Sequence, residues 1–212
     1  MKIIFEDQAI CVIDKPSGMV VDEVQVKFPT MILAHRLDRD TSGVMLLAKT
    51  PEAYEALKKQ FMERKIKKTY MTLVHGAMKE QEGIISVPIE SNPKDRTKRV
   101  VGTNLSRMAV TEWKVLEVLR TKNEVLSLLE VKPLTGRTHQ IRVHLKHLEH
   151  RIVSDPIYGG RKQYKEDIKW CPRLFLHARR IEFLHPTTGR VMEFESDLDE
   201  ELQKVVKGLE SV

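Results

Sequence analysis

Apolar positions in this chain fall in short runs with a strand-like period of two more often than with a helical period of 3.6. Residues 3–5 and 9–13 predict two short strands joined by Glu6-Asp7-Gln8. Lys15-Pro16-Ser17-Gly18 predicts a turn, because proline presets one φ and glycine permits the next. Residues 44–48 are apolar throughout and predict a buried strand. Pro51-Glu52 opens a helix with proline in its first turn, and Ala53, Leu57 and Phe61, with Ala56 and Gln60 alongside, give it one apolar face. Residues 67–74 alternate as a strand, with Thr69, Met71 and Leu73 against Tyr70, Thr72 and Val74. The stretch 92–99 is a basic loop, and 109–118 and 125–131 form a long antiparallel pair joined near Thr121-Lys122-Asn123. A helix over 138–150 follows, capped by Thr138, with Ile141, Leu145 and Leu148 on one face. After a loop at 155–160, residues 180–184 and 190–195 make a hairpin. Residues 197–209 close as a helix whose first turn carries Asp199, Glu200 and Glu201, where the dipole favours acids. Strands in hairpin order with a few helices predict an α+β fold around a largely antiparallel sheet, in one domain spanning 1–212.

Charge narrows the partners. The 212 residues carry 36 lysines and arginines against 30 acids, a net charge of +6, which favours polyanions, nucleic acid first. Cys11 and Cys171 stand far apart in no metal-like spacing, which points to a reduced, intracellular protein. The start meets Glu6 and Asp7 too soon for a signal peptide. No apolar run approaches the roughly 20 residues that cross a bilayer, so a cytoplasmic protein without membrane contact is expected.

Three segments carry candidate chemistry. In His35-Arg36-Leu37-Asp38-Arg39-Asp40-Thr41-Ser42-Gly43, two carboxylates stand among two arginines and a histidine at the mouth of the apolar strand. A neighbouring guanidinium keeps Asp38 ionised, and a positioned carboxylate can act as nucleophile or base. Asp-Thr-Ser-Gly is equally good turn chemistry, so Thr41 to Gly43 also reads as a strand-edge turn. Between Lys58 and Lys68 six cations face one acid, and Tyr70 ends the run. Such a run is ordinarily a solvated face, but an aromatic beside cations can stack on a base while lysines hold phosphates. In the third segment, residues 132–144, a strand end, a Thr135-Gly136 turn and a helix start follow one another. Arg142 falls at the margin of that helix's apolar stripe and needs a carboxylate partner, for which Asp38 is the candidate. His139, His144, His147 and His150 cluster on the helix, but no further ligand stands at a zinc-like spacing. There is no phosphate-cradling glycine loop, so neither metal nor nucleotide cofactor is expected.

These segments resemble the RluA-type pseudouridine synthases. His35-Arg36-Leu37-Asp38 with Thr41-Ser42-Gly43 resembles that family's catalytic motif, and Lys15-Pro16-Ser17-Gly18 its N-terminal motif. Lys68-Thr69-Tyr70 matches the segment of its active-site tyrosine, and Gly136-Arg137-Thr138-His139-Gln140-Ile141-Arg142 that of its active-site arginine. Asp155-Pro156-Ile157-Tyr158-Gly159 and Leu176-His177-Ala178 resemble later segments. The resemblance implies a mixed, mostly antiparallel central sheet flanked by helices, with a central catalytic cleft. It implies isomerisation of uridine to pseudouridine in ribosomal or transfer RNA, without metal or cofactor. Asp38 would be nucleophile or base, Tyr70 would lie against the uracil, and Arg142 would pair with Asp38. Arg36 would hold the flipped nucleotide or fill its place, with His35, Thr41, Lys68, Arg137 and His139 as further substrate contacts. A monomer without a separate S4-like RNA-binding domain is expected. Two other classes stay open: a catalytically inactive RNA-binding module of the same fold, and a metal-dependent nuclease built on Asp38, Asp40 and the histidines.

Overall fold

The computed structural model describes residues 1–212, the side chain of Ser106 excepted. In chain order the elements are β1 (Lys2–Glu6), β2 (Ile10–Lys15), α1 (Val21–Lys27), β3 (Ile32–Leu33), β4 (Ser42–Ala48), α2 (Pro51–Met62), β5 (Lys67–His75), β6 (Glu82–Asn92) and β7 (Asp95–Val101). A 3-10 turn (Leu105–Arg107) precedes β8 (Met108–Arg120), β9 (Val125–Pro133), α3 (Gln140–His147), α4 (Arg161–Asp167), β10 (Leu176–Leu184), β11 (Val191–Glu195), α5 (Glu200–Lys207) and β12 (Glu210–Ser211). The fold is α+β, and the chain forms two compact units.

The first unit contains Met1–Thr69 and His177–Asp197. Its strands run in the order β1-β2-β4-β10, with β11 on β10 and β3 on β4. The β4–β10 pair is parallel and the other pairs are antiparallel, so the sheet is mixed. Every residue of β4 is buried, as a central strand covered on both faces must be. Thr50 caps α2 by accepting the Ala53 N–H at 3.1 Å, and proline stands in the helix's first turn, where no N–H is needed. Ala53 and Leu57 of α2 pack into a core with Ile10, Val12, Leu46, Ile181 and Phe183. Gln60 reads the backbone of Leu184 in both directions, accepting its N–H at 2.9 Å and donating to its carbonyl at 2.8 Å.

The second unit contains Tyr70–Leu176 and Leu198–Val212. Its strands run β5-β9-β8-β6-β7, all antiparallel, with β12 on β8. Three expectations change here. The basic stretch 92–99 is not a loop: only Pro93 and Lys94 form the turn, and Asp95–Val101 is an edge strand paired with β6. The pairing outweighs the turn-rich local composition. On β5, Thr69 and Tyr70 are buried side by side and Thr72 to Val74 follow, so both faces of the strand are covered and simple alternation is lost. Helix α3 spans 140–147 rather than 138–150. His139 sits in the left-handed region at φ 57° and Glu149 at φ 66°, which ends the helix on both sides. His139, not Thr138, stands at the N-cap, without a side-chain cap bond, and the Gln140 side chain braces the preceding turn by accepting the Arg137 N–H at 2.9 Å. Helix α5 forms, but over 200–207 rather than 197–209, because Asp199 stands outside it as the cap and accepts the Leu202 N–H at 3.1 Å. Among the described residues, no helix is long and apolar enough to cross a membrane.

Candidate active site

In the first unit His35, Arg36, Asp38 and Thr41 lie on one braced loop, and Lys68 lies on β5. Leu37 is buried and anchors it, Asp38 is half-buried, and Arg36 and Arg39 are exposed on either side. The Thr41 N–H donates to the Asp38 carbonyl at 3.1 Å and closes a turn before β4. The Lys15-Pro16-Ser17-Gly18 turn holds this loop from below. Lys15 is fully buried, and its Nζ donates to the carbonyls of Pro16 at 2.9 Å, Met19 at 2.9 Å and Arg39 at 3.1 Å. The Ser17 hydroxyl donates to the Asp40 carbonyl at 2.8 Å, and the Gly18 N–H to that of Arg39 at 3.0 Å. A buried ammonium survives only when its donors are satisfied, and here they are spent on the backbone beside Asp38. The sequence signal for this brace is a lysine closing an apolar strand.

Gly43 sets the next step. It pairs with Ala178 of the parallel neighbour β10 and has φ +111°. A Cβ there would lie 2.3 Å from the Ala178 carbonyl oxygen, so no side chain fits. Thr41 and Ser42 are buried rather than open to a ligand. The Ser42 Oγ is 2.9 Å from His177 Nδ1, and His177 Nε2 is 2.9 Å from the Ser196 carbonyl. A carbonyl only accepts, so the proton is on Nε2 and the Ser42 hydroxyl donates to Nδ1. His35 is similarly committed: its Nε2 accepts the Leu46 N–H at 3.0 Å, and its ring lies 5.2 Å from that of Phe61. Burial, helped by the nearby Lys68 charge, pushes its pKa down to about 3 and keeps it neutral. Burial also lowers Lys68 to about 8, bringing that ammonium within reach of ordinary pH.

In the second unit, Tyr70 is buried on β5 opposite Val131 of β9. Arg142 is not at the margin of α3 but fully inside, at 2% exposure. Its carboxylate partner there is Asp155. The Arg142 Nε donates to Asp155 Oδ2 at 2.8 Å and an Nη to Oδ1 at 2.7 Å. Asp155 Oδ1 also accepts the N–H groups of Ile157 at 2.8 Å and Tyr158 at 2.9 Å. This turn geometry aims the carboxylate at α3. The Tyr158 ring lies 5.1 Å from the Arg142 guanidinium, and its hydroxyl is 2.8 Å from His139 Nδ1. Arg137 is exposed, and its backbone N–H is held by Gln140.

The helix histidines do not form a metal cluster among the described residues. His144 Nδ1 is 2.8 Å from the Thr111 hydroxyl, and burial, first among the causes, lowers His144 to about 4. The group that does converge is His75, Glu124 and Asp167. His75 Nδ1 lies 2.9 Å from Glu124 and Nε2 3.0 Å from Asp167. Burial works against its charge, but the two carboxylates outweigh it and raise its pKa. With both ring nitrogens against acids, the His75 imidazole links Glu124 to Asp167.

A half-buried carboxylate on a braced loop, flanked by exposed arginines on a cationic chain, fits the class of enzymes that use an acid on a polyanionic substrate. The comparisons make the class specific. The family model for RNA pseudouridylate synthase matches residues 9–147. The ribosomal large subunit pseudouridine synthase D of Xanthomonas campestris pv. campestris is 35% identical, over 99% of this chain and 69% of its own length. The ribosomal large subunit pseudouridine synthase C of Vibrio parahaemolyticus is 36% identical, over 98% and 69% respectively. The solved structure of human RNA pseudouridylate synthase domain containing 1 superposes with a TM-score of 0.84 at 26% identity, covering 100% of this chain and 88% of that one. The chain belongs to the RNA pseudouridylate synthase family, enzymes that isomerise uridine to pseudouridine in RNA.

Proposed function

We propose that this chain isomerises uridine in ribosomal RNA, with Asp38 as the catalytic carboxylate and Tyr70 and Arg142 as its partners. The observation that carries the reading is that all three residues lie within the 9–147 stretch matched by the family model. The names of the bacterial relatives support ribosomal over transfer RNA as the substrate. The bond between the ribose C1′ and the uracil N1 breaks, the base turns, and C5 joins C1′ while its proton is lost and N1 gains one. Asp38 serves as nucleophile or as the base that takes a ribose proton, splitting a hard step into easier ones. Tyr70 lies against the uracil and helps move the C5 proton, and Arg142 serves as the acid's cationic partner. Arg36 holds or replaces the flipped nucleotide, with Lys68, Arg137, His139, Thr41 and His35 shaping its surroundings. Lys58 to Lys68, the β6–β7 hairpin, and Arg161, Lys162 and Lys165 of α4 grip the backbone, offsetting the few kcal/mol of unstacking. Both units serve one catalytic domain, working as a monomer in the cytoplasm without metal or cofactor.

The test is Asp38→Asn with mapping of pseudouridine in ribosomal RNA. The expected result is retained RNA binding and no product; turnover at the wild-type rate ends the assignment. An unmodified wild-type substrate would favour an inactive RNA-binding module, and loss of activity with a chelator would favour a metal-dependent nuclease.

A further inference from the structure

The β6–β7 hairpin, the start of α3 and the 155–160 turn meet at one side chain. Tyr158 is buried at 4% exposure, in a small core with Ile89 of β6, Ala109 of β8 and Val143 of α3, flanked by Val101 of β7. Its hydroxyl accepts the Arg99 N–H at 2.8 Å and lies 2.8 Å from His139 Nδ1. Arg99 belongs to the edge strand β7, whose outer side has no paired strand among the described residues. The ring face of the same residue lies 5.1 Å from the Arg142 guanidinium and 5.6 Å from Lys146 Nζ. The backbone N–H of Tyr158 donates to Asp155 Oδ1, the carboxylate that grips Arg142.

From this convergence we infer that Tyr158 is a positioning residue for the isomerisation, coupling the basic hairpin to the arginine and histidine of the site. The two ends of one side chain divide the work. The hydroxyl fixes the hairpin, whose exposed Lys94 and Arg96 hold RNA. The ring supports the Arg142 guanidinium from its face. The inference rests on the proposed function for the hairpin and Arg142.

The test separates the ends. Tyr158→Phe keeps the ring and removes the hydroxyl. It should raise KM for RNA about fivefold, the worth of one hydrogen bond, with kcat within about twofold of wild type. Its Arg99 amide should exchange faster with solvent. Tyr158→Leu should show the same rise in KM and, in addition, lose kcat about tenfold. Lys94→Gln with Arg96→Gln lies on the surface and leaves the core intact; adding Tyr158→Phe to it should raise KM no further. Unchanged Arg99 exchange in Tyr158→Phe, a kcat loss without a KM change, or full additivity with the hairpin double variant would each overturn the inference. A wild-type chain that makes no pseudouridine would end the functional reading instead, and Arg99 exchange would still decide the hydroxyl contact.

Discussion

Arg142 and Asp155 form a two-pronged ion pair at 2.8 and 2.7 Å, both side chains shielded from solvent. The pair fixes the guanidinium in two directions, as a single contact could not. Removing the acid strips a buried cation of its two-pronged carboxylate partner. Asp155→Ala should lower unfolding free energy by about 3–5 kcal/mol, read from urea denaturation. An unchanged midpoint and slope would mean that water or another group satisfies Arg142.

Gly43 is predicted to tolerate no side chain. Gly43→Ala combines a left-handed backbone with a Cβ 2.3 Å from the Ala178 oxygen, and should cost about 3 kcal/mol or more. For a chain of this size the melting temperature should fall by roughly 6–12 °C. A melt within a degree of wild type would show that β4 and β10 part easily.

Acid should destabilise the chain through two neutral histidines whose pKa values are held low. His35 is held down to about 3 and His144 to about 4, against an unfolded value near 6.5. Each therefore contributes stability that is complete above about pH 6.5 and lost as pH falls toward those values, at about 1.4 kcal/mol per pH unit per group. His35→Gln keeps an acceptor for the Leu46 N–H and should flatten the wild-type slope between pH 6 and 4. Parallel curves for the two proteins would place the proton elsewhere.

RNA affinity should depend on pH through Lys68, whose folded pKa is lowered to about 8 by burial. Below that value it is cationic and adds to binding; as pH rises through 8 the charge is lost and affinity falls. Lys68→Met should bind more weakly at pH 7, lose this pH dependence, and show a salt slope smaller by about 1. Filter binding from pH 7 to 9 at fixed ionic strength decides it; identical profiles would remove Lys68 from the RNA interface.

By itself the sequence determined the α+β class, the buried β4, the helices α2 and α5, and the segments bearing Asp38, Tyr70 and Arg142. These follow from local signals: apolar runs, a proline at a helix start, acids at a helix N-terminus, a motif order. Only the tertiary structure decided partners. Asp155 as a carboxylate for Arg142, Lys15 beneath the Asp38 loop, Tyr158 between Arg99 and His139, and the strand that replaced the 92–99 loop all depend on residues brought close by the fold. A side chain's periodicity tells which face it occupies, but the group that satisfies its charge or hydrogen bond is chosen by where the rest of the chain passes. Burial makes that choice binding, because an unpartnered polar group inside costs more than any local propensity returns.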